Sequence, residues 1–225
     1  MNAQNLSIVP GNLPASRVLL PRKPELWIFV AFVALVNAPL LPRSFSDSLI
    51  LLPEAVRSGE WWRVFTHPFV HVTWYHLLLD GAAFLSLYSG LAEPSMWRRL
   101  GFVSAAGAGS ALISCLAAPA VSTNGLCGLS GIAHGLMAVS ALEMIGNNHS
   151  QTRRLGWWCF ALVIGKAAIE ALSGRMFFTF LHFGLMGEPI AVSHAGGIIG
   201  ALAATVFHSR KNHGGRTSFE TVRQN

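Results

Sequence analysis

Six apolar stretches run through this chain of 225 residues, at roughly 25–41, 73–92, 99–119, 128–145, 156–173 and 190–208. Each approaches the about 20 residues that a helix needs to cross the hydrocarbon layer of a bilayer. A chain so divided has lipid as its main solvent, and its composition, 52% apolar and only 12% charged, agrees. The first stretch follows Pro10, Pro14, Pro21 and Pro24 and precedes no small-residue cleavage site, so it reads as a retained span rather than a signal peptide. The expected fold is an all-α membrane protein with six transmembrane helices over residues 25–208. A segment 1–24 precedes them and a basic tail 209–225 follows.

The net charge of +6 raises the question of nucleic acid. The basic residues lack aromatic interleaving and any nucleic-acid motif, and they sort by side of the membrane instead, so no nucleic-acid partner is expected. With six spans, one side holds Arg17, Arg22, Lys23, Arg98, Arg99, Arg153, Arg154, Arg210, Lys211, Arg216 and Arg223. The other holds Arg43, Arg57, Arg63 and Arg175, while Lys166 falls within a span. The positive-inside rule then puts both termini in the cytoplasm. Cys115, Cys127 and Cys159 have no metal-type spacing, and their odd number argues against a disulfide framework. They read as buried small hydrophobes.

An ionisable group inside a span is costly unless it is satisfied or faces a wet cavity, which makes each one a candidate functional residue. The second span opens "THPFVHVTWYHLLLDG" and brings His67, His71, His76 and Asp80. The fourth brings Ser130 and His134, and the sixth, "IAVSHAGGIIG", brings His194. Spans two, four and six all run from the outer to the inner side, so the distance from each start measures depth from one surface. At about 1.5 Å per residue, Ser130 lies a few ångströms in, His194 about 6 Å and Asp80 about 10 Å. Three helices thus carry polar residues at one shallow layer.

Small residues suggest how two of these helices meet. Gly131 and Gly135 form G-x-x-x-G on the fourth span, and Gly196 and Gly200 repeat it on the sixth. A close approach there would bring a hydroxyl to an imidazole, the pairing that a serine nucleophile and its general base require. The local motif, G-x-S-G, is not the G-x-S-x-G elbow of soluble hydrolases, because Ile132 stands two residues after Ser130. Alone it equally describes helix packing. Its weight comes from His194 at matching depth on another helix.

These residues resemble the rhomboid family of intramembrane serine proteases over about residues 25–208. The resemblance rests on "GEWWRVFTHPFVH" with its Trp62-Arg63 pair, on the spaced His67, His71 and His76, on Gly128-Leu129-Ser130-Gly131 and on "HAGG" with His194. It implies Ser130 as nucleophile and His194 as general base, a dyad without a third acid. It further implies His76 and Asp80 as side-chain donors to the oxyanion, joined by the Ser130 backbone N–H. "GLSGIAHG", with His134 four residues after the serine, and the Lys166…Glu170 pair look like the rhombosortase branch. That branch is thought to process bacterial surface or secreted proteins carrying a C-terminal Gly-Gly-type anchor. The resemblance thus implies a multi-pass protein of the bacterial inner membrane whose active site faces the periplasm, with the bilayer and transmembrane proteins as partners and no cofactor.

One departure from the family stands out. General rhomboids usually carry asparagine where this chain has Asp80. Either burial keeps Asp80 protonated as a hydrogen-bond donor, or it is ionised and orients a neighbouring histidine. His134 is read as stacking on His194 or satisfying a neighbouring span.

Plainer readings remain for the other polar residues. His67 and His71 have a spacing that suits metal ligands, yet "HPFVH" lacks the Glu of H-E-x-x-H, and Pro68 marks a helix start. Their expected role is structural, bonding loop carbonyls, and no metal is expected. A metal-dependent enzyme built on His67, His71, His76 and Asp80 is the alternative. Lys166 and Glu170, four apart on a helix, are read as neutralising each other. The loop 42–66, with Trp61, Trp62 and Phe65, is expected to rest in the membrane interface. The apolar run "RMFFTFLHFGLMGEPI" is read by analogy as a cap over the site. A catalytically silent binder of membrane proteins is the rival function.

Overall fold

The computed structural model describes residues 23–177 and 190–220, with side chains described as far as 208. In chain order its helices are α1 (Glu25–Val36), α2 (Pro53–Arg57), α3 (Arg63–Thr66), α4 (Trp74–Gly90), α5 (Met96–Ala117), α6 (Ala120–Asn124), α7 (Ser130–Ile145), α8 (Ser150–Ser173) and α9 (Val192–Glu220). Leu51 and Leu126 form an isolated antiparallel bridge, and the described residues contain no β-strand. Most of the apolar run proposed as a cap, residues 178–189, lies outside the described residues, as do 1–22.

Helices replace all six apolar stretches, but not all at full length. By length and composition α5 and α8 can each cross a membrane, whereas α1, α7 and the Val192–His208 part of α9 are shorter apolar helices. The expected first span, 25–41, stops at Val36. There Asn37 turns its amide onto Val33 O and Phe69 O, at 2.8 and 2.7 Å, and Pro39 follows within a 3₁₀ turn. The 12 residues of α1 reach only about 18 Å. α4 begins where Thr73 Oγ1 accepts the His76 N–H at 3.1 Å, an N-cap that fixes the entry of that helix. α8 ends at Gly174, which takes the left-handed conformation common after helix C-termini. The three cysteines are free thiols but not the buried hydrophobes expected. Cys115 is exposed on α5, where a small apolar side chain costs nothing against lipid.

α9 is wedged between α5 and α7, in backbone contact with both. The two G-x-x-x-G pairs do not meet each other, as the sequence suggested. Gly196 and Gly200 face α5, where an added Cβ on either would run into the backbone of Gly109 or Ala105. The neighbouring Gly197 faces α7 and lies on the Gly131 carbonyl, and Gly135 in turn sits against Gly197 O and Ala201. The difference follows from helix geometry, since adjacent residues point about 100° apart and α9 has a neighbour on each side. Apolar packing of Phe84, Tyr88, Phe102, Leu129, Ile132, Leu136 and Ala201 continues the contact through the bundle.

Several charges at the far end of the bundle from Ser130 are paired. Arg99 pairs with Glu25, which also accepts the Tyr88 hydroxyl at 2.9 Å, and Arg99 reaches Glu93 O and Pro94 O. Lys23 Nζ donates to the carbonyls of Tyr88, Ser89 and Leu91 at the end of α4. Burial, then the nearby Arg99 guanidinium, lowers the Lys23 ammonium from its usual range. Glu143 accepts the N–H groups of Ala92 and Glu93 at 2.7 and 2.9 Å.

Gly197→Val should overpack the α7–α9 contact by about 1–3 kcal/mol or more, lowering the thermal midpoint of the detergent-solubilised protein by at least about 2 °C. Gly165→Ala, with no heavy atom within 4 Å of the added carbon, should leave the midpoint unchanged or raise it. Equal melting of the Gly197→Val variant and the wild type would contradict the packing described.

Candidate active site

The segment leading into Ser130 is held at two points. Leu51 and Leu126 exchange two backbone hydrogen bonds, at 2.9 and 3.0 Å, and the Gly128 N–H donates to His67 O at 3.1 Å. Leu51 belongs to the loop between α1 and α4, which Arg63 staples shut: its guanidinium donates to Asp47 O at 2.7 Å, to Ile50 O at 2.9 Å and to Glu60. Trp62 Nε1 adds a bond to Ser48 O. The Trp62-Arg63 pair therefore shapes the loop that braces the serine segment. Trp61, Trp62 and Phe65 project outward, exposed. His67 keeps its structural part, with Nδ1 donating to Arg63 O and Val64 O at 3.2 and 3.1 Å.

Gly128 has φ +101°, a conformation that side chains rarely adopt. A Cβ there would also lie 2.8 Å from His76 Nε2 and 2.9 Å from Asp80 Oδ2. The chain can pass this close to α4 only as glycine. Two residues later, Ser130 opens α7 with its N–H pointing at α4, where it donates to Asp80 Oδ2 at 3.0 Å. The same oxygen lies 3.2 Å from His76 Nε2 and 3.7 Å from His71 Nε2. Asp80 is thus an acceptor toward two of the three donors expected to serve an oxyanion. Both readings of Asp80, protonated donor and ionised orienter, are compatible with an Oδ2 that accepts the Ser130 N–H beside His76. His71, expected to bond loop carbonyls, has its Nε2 turned toward this carboxylate instead, and its backbone N–H donates to Asn37 Oδ1 at 2.8 Å.

On the other side of Ser130 lies a second cluster, drawn from α7, α8 and α9. His134 Nδ1 is 2.8 Å from Ser130 O, and its ring stacks on that of His194, centroids 3.7 Å apart and planes 11° from parallel. Lys166 Nζ lies 3.0 Å from His134 Nε2 and 2.8 Å from Glu170 Oε2. Glu170 Oε2 also meets His194 Nδ1 at 2.8 Å, and Glu170 Oε1 accepts the Phe177 N–H at 2.8 Å. The partners fix the tautomers. A carbonyl only accepts and an ammonium only donates, so His134 carries its proton on Nδ1 and offers Nε2 to Lys166. A carboxylate opposite His194 Nδ1 assigns the proton there and leaves Nε2 with a lone pair. Lys166 and Glu170 form the expected i, i+4 pair, but their carboxylate oxygen is shared with His194. The expected dyad without an acid therefore has a carboxylate against its imidazole.

Ser130 and His194 open two helices in backbone contact: Gly131 lies against Ser193 O, and Gly197 against Gly131. His194 is buried, whereas Ser130 is half-buried. Two groups of donor atoms could hold a cation, His71 with His76 and Asp80, and His134 with Glu170 and His194, each within 4.8 Å of one another. In the second, the Lys166 ammonium already stands on the shared carboxylate oxygen and opposes another positive charge. The first would take Asp80 Oδ2 from the Ser130 N–H.

A Rhomboid domain matches residues 58–211, more than half of the chain and all of the two clusters. The chain belongs to the rhomboid family. Searches of curated proteins and of solved structures each returned no significant match. Rhomboids are membrane-embedded, and they are generally intramembrane serine proteases acting on transmembrane substrates, although some members are inactive. The apolar helices of this rhomboid agree with that setting.

The Gly128→Ala variant should be damaged beyond what a methyl group suggests, through strained backbone and displacement of His76 and Asp80. We expect at least a tenfold loss of serine-directed probe labelling with the fold retained by circular dichroism. Undiminished labelling would show that the close passage at Gly128 is dispensable.

Proposed function

We propose that the chain is an intramembrane serine endopeptidase with Ser130 as nucleophile and His194 as general base. The observation that carries this reading is that Ser130 and His194 stand on the first turns of α7 and α9, helices in backbone contact at Gly131 and Gly197, with Glu170 on the Nδ1 side of the imidazole. As Ser130 Oγ bonds to the scissile carbonyl carbon, its proton passes to His194 Nε2 and the carbonyl π pair moves to oxygen. The imidazolium then gives that proton to the departing amine. Water attacks the acyl-enzyme by the same route in reverse. The Ser130 N–H and His76 Nε2–H are the donors placed to receive the oxyanion, each such donor being worth about 10²–10³ in rate. For them to do so, Asp80 Oδ2 has to give up both bonds.

The further reading is rhombosortase-like. The substrates would be bacterial proteins with C-terminal Gly-Gly-type anchors, entering laterally from the bilayer and unwinding near small residues. In this proposal six spans cover residues 25–208, with 1–24 and 209–225 in the cytoplasm of a bacterial inner membrane and the site toward the periplasm. No cofactor takes part. The resemblance of "GLSGIAHG" and of the Lys166…Glu170 pair supports the branch, and His71 and His76 beside Asp80 supply polar groups for the approach of water.

One observation favours a second reading, the catalytically silent binder. Asp80 Oδ2 holds the Ser130 N–H that an oxyanion would need. The two readings separate on covalent labelling with a fluorophosphonate probe. We expect labelling of the wild type, none of Ser130→Ala and a loss of at least a hundredfold in His194→Ala. A wild type that takes no label in detergent and in liposomes would leave the silent binder standing.

Asp80→Asn tests the carboxylate itself. The amide oxygen can keep the contact with the Ser130 N–H while removing a charge that opposes the oxyanion. Labelling of this variant should stay within about threefold of the wild type or rise. A fall of more than tenfold would mean that the charge of Asp80 is required.

A further inference from the structure

Glu170 has no part in the dyad that the family resemblance implies, and as the partner of Lys166 it needs only one contact. It makes three. Its carboxylate is fully buried, with Oε2 on both Lys166 Nζ and His194 Nδ1, each at 2.8 Å, and Oε1 on the Phe177 N–H at 2.8 Å. We infer that Glu170 is the positioning residue of the His194 base, so that Ser130, His194 and Glu170 act in series. The inference rests on the protease reading and extends it.

The chemistry follows from what faces His194. From α8 come Glu170 and Lys166, and from α7 comes His134 stacked on the ring. Before reaction, Lys166 is positive, Glu170 negative, and the two imidazoles are neutral. Glu170 holds the Nδ1–H tautomer of His194, the one whose Nε2 can accept the Ser130 proton. When that proton arrives, the positive imidazolium keeps its Nδ1–H on the carboxylate, and Glu170 stays ionised throughout. Lys166 Nζ, 3.5 Å from His194 Nδ1, works against this. Both groups are donors, so no hydrogen bond forms between them, and their like charges repel once the imidazole is protonated. Lys166 instead fixes the carboxylate and, through His134 Nε2, the ring stacked on the base. The third contact ties Glu170 to Phe177 at the start of the connection from α8 to α9.

Glutamine cannot replace this group. With its oxygen at the Oε2 position its NH₂ meets the Phe177 N–H. Flipped, its NH₂ meets Lys166 and drives the wrong tautomer on His194. In a Ser-His-Asp protease, the corresponding acid-to-amide change costs about 10⁴ in kcat.

The experiment measures the pH dependence of fluorophosphonate labelling at Ser130 in the full chain, for wild type, Glu170→Gln, Glu170→Asp and Lys166→Met, with a melting curve for each. Labelling rises with pH as His194 becomes free to accept a proton. Loss of the carboxylate destabilises the imidazolium, so in Glu170→Gln this rise should move at least one pH unit lower while the plateau falls about 10²–10⁴-fold. Glu170→Asp should restore the position of the rise. Lys166→Met removes the opposing charge and should move the rise to higher pH. A labelled wild type with an unmoved rise in Glu170→Gln overturns the inference, whatever the plateau does. If that variant does not fold, a rise in Lys166→Met that stays in place or moves lower overturns it. A wild type that takes no label sinks the protease reading itself and the inference with it.

Discussion

The structure depends on one close approach: α9 lying between α5 and α7 with its backbone on theirs. Lipid offers helices no hydrophobic reason to associate, so small residues that permit backbone contact have to supply the packing. Three adjacent choices on α9 do this: Gly196 and Gly200 toward α5, and Gly197 toward α7. The consequence for the site is direct. His194 stands one helical turn before Gly197, and Ser130 stands next to the Gly131 carbonyl on which Gly197 rests. Any side chain at Gly197 would part the two helices beside the turns that carry Ser130 and His194.

The polar groups follow from the same solvent. A charge within the bilayer is costly, and the cost is relieved by pairing. At one end of the bundle Glu25, Arg99, Tyr88, Lys23 and Glu143 close the ends of α1, α4 and α5. At the other, two clusters flank Ser130: His76 with Asp80 on its N–H side, and His134, Lys166, Glu170 and His194 on its carbonyl side. The first set uses its bonds to fasten chain ends. The second is not closed in this way: His76 Nδ1 and both ring nitrogens of His71 are buried without a hydrogen-bond partner, and the proposed role of His194 needs its Nε2 free to take a proton.

Much of this was legible in the residues. The apolar stretches gave the helices, because length and hydropathy are properties of a segment alone. Ser130, His194, His76 and Asp80 stood out because ionisable and hydroxyl groups are rare in lipid-facing sequence, and counting depth from a common surface brought them into one layer. The i, i+4 pair Lys166 and Glu170 was also visible, since helix geometry sets that spacing. What it missed was the second use of the carboxylate. Nothing in a spacing of four within α8 says that α9 brings His194 to the same oxygen. The pairing of glycines was misassigned for a related reason. A G-x-x-x-G pattern says that a helix has a close neighbour and leaves open which one, and a residue one position along faces a different helix.

The sequence by itself determined the class of protein, the order of its helices, the need for close packing and the short set of residues able to do chemistry. Local composition is enough for these, as each depends on neighbours along the chain. Tertiary structure decided which faces meet, that α1 ends at Asn37 because the loop before α4 claims its side chain, and that Asp80 accepts from the Ser130 N–H. It also decided that Glu170 stands behind His194. Each of those depends on atoms from helices far apart in the chain, brought within 3 Å by packing that no single segment encodes.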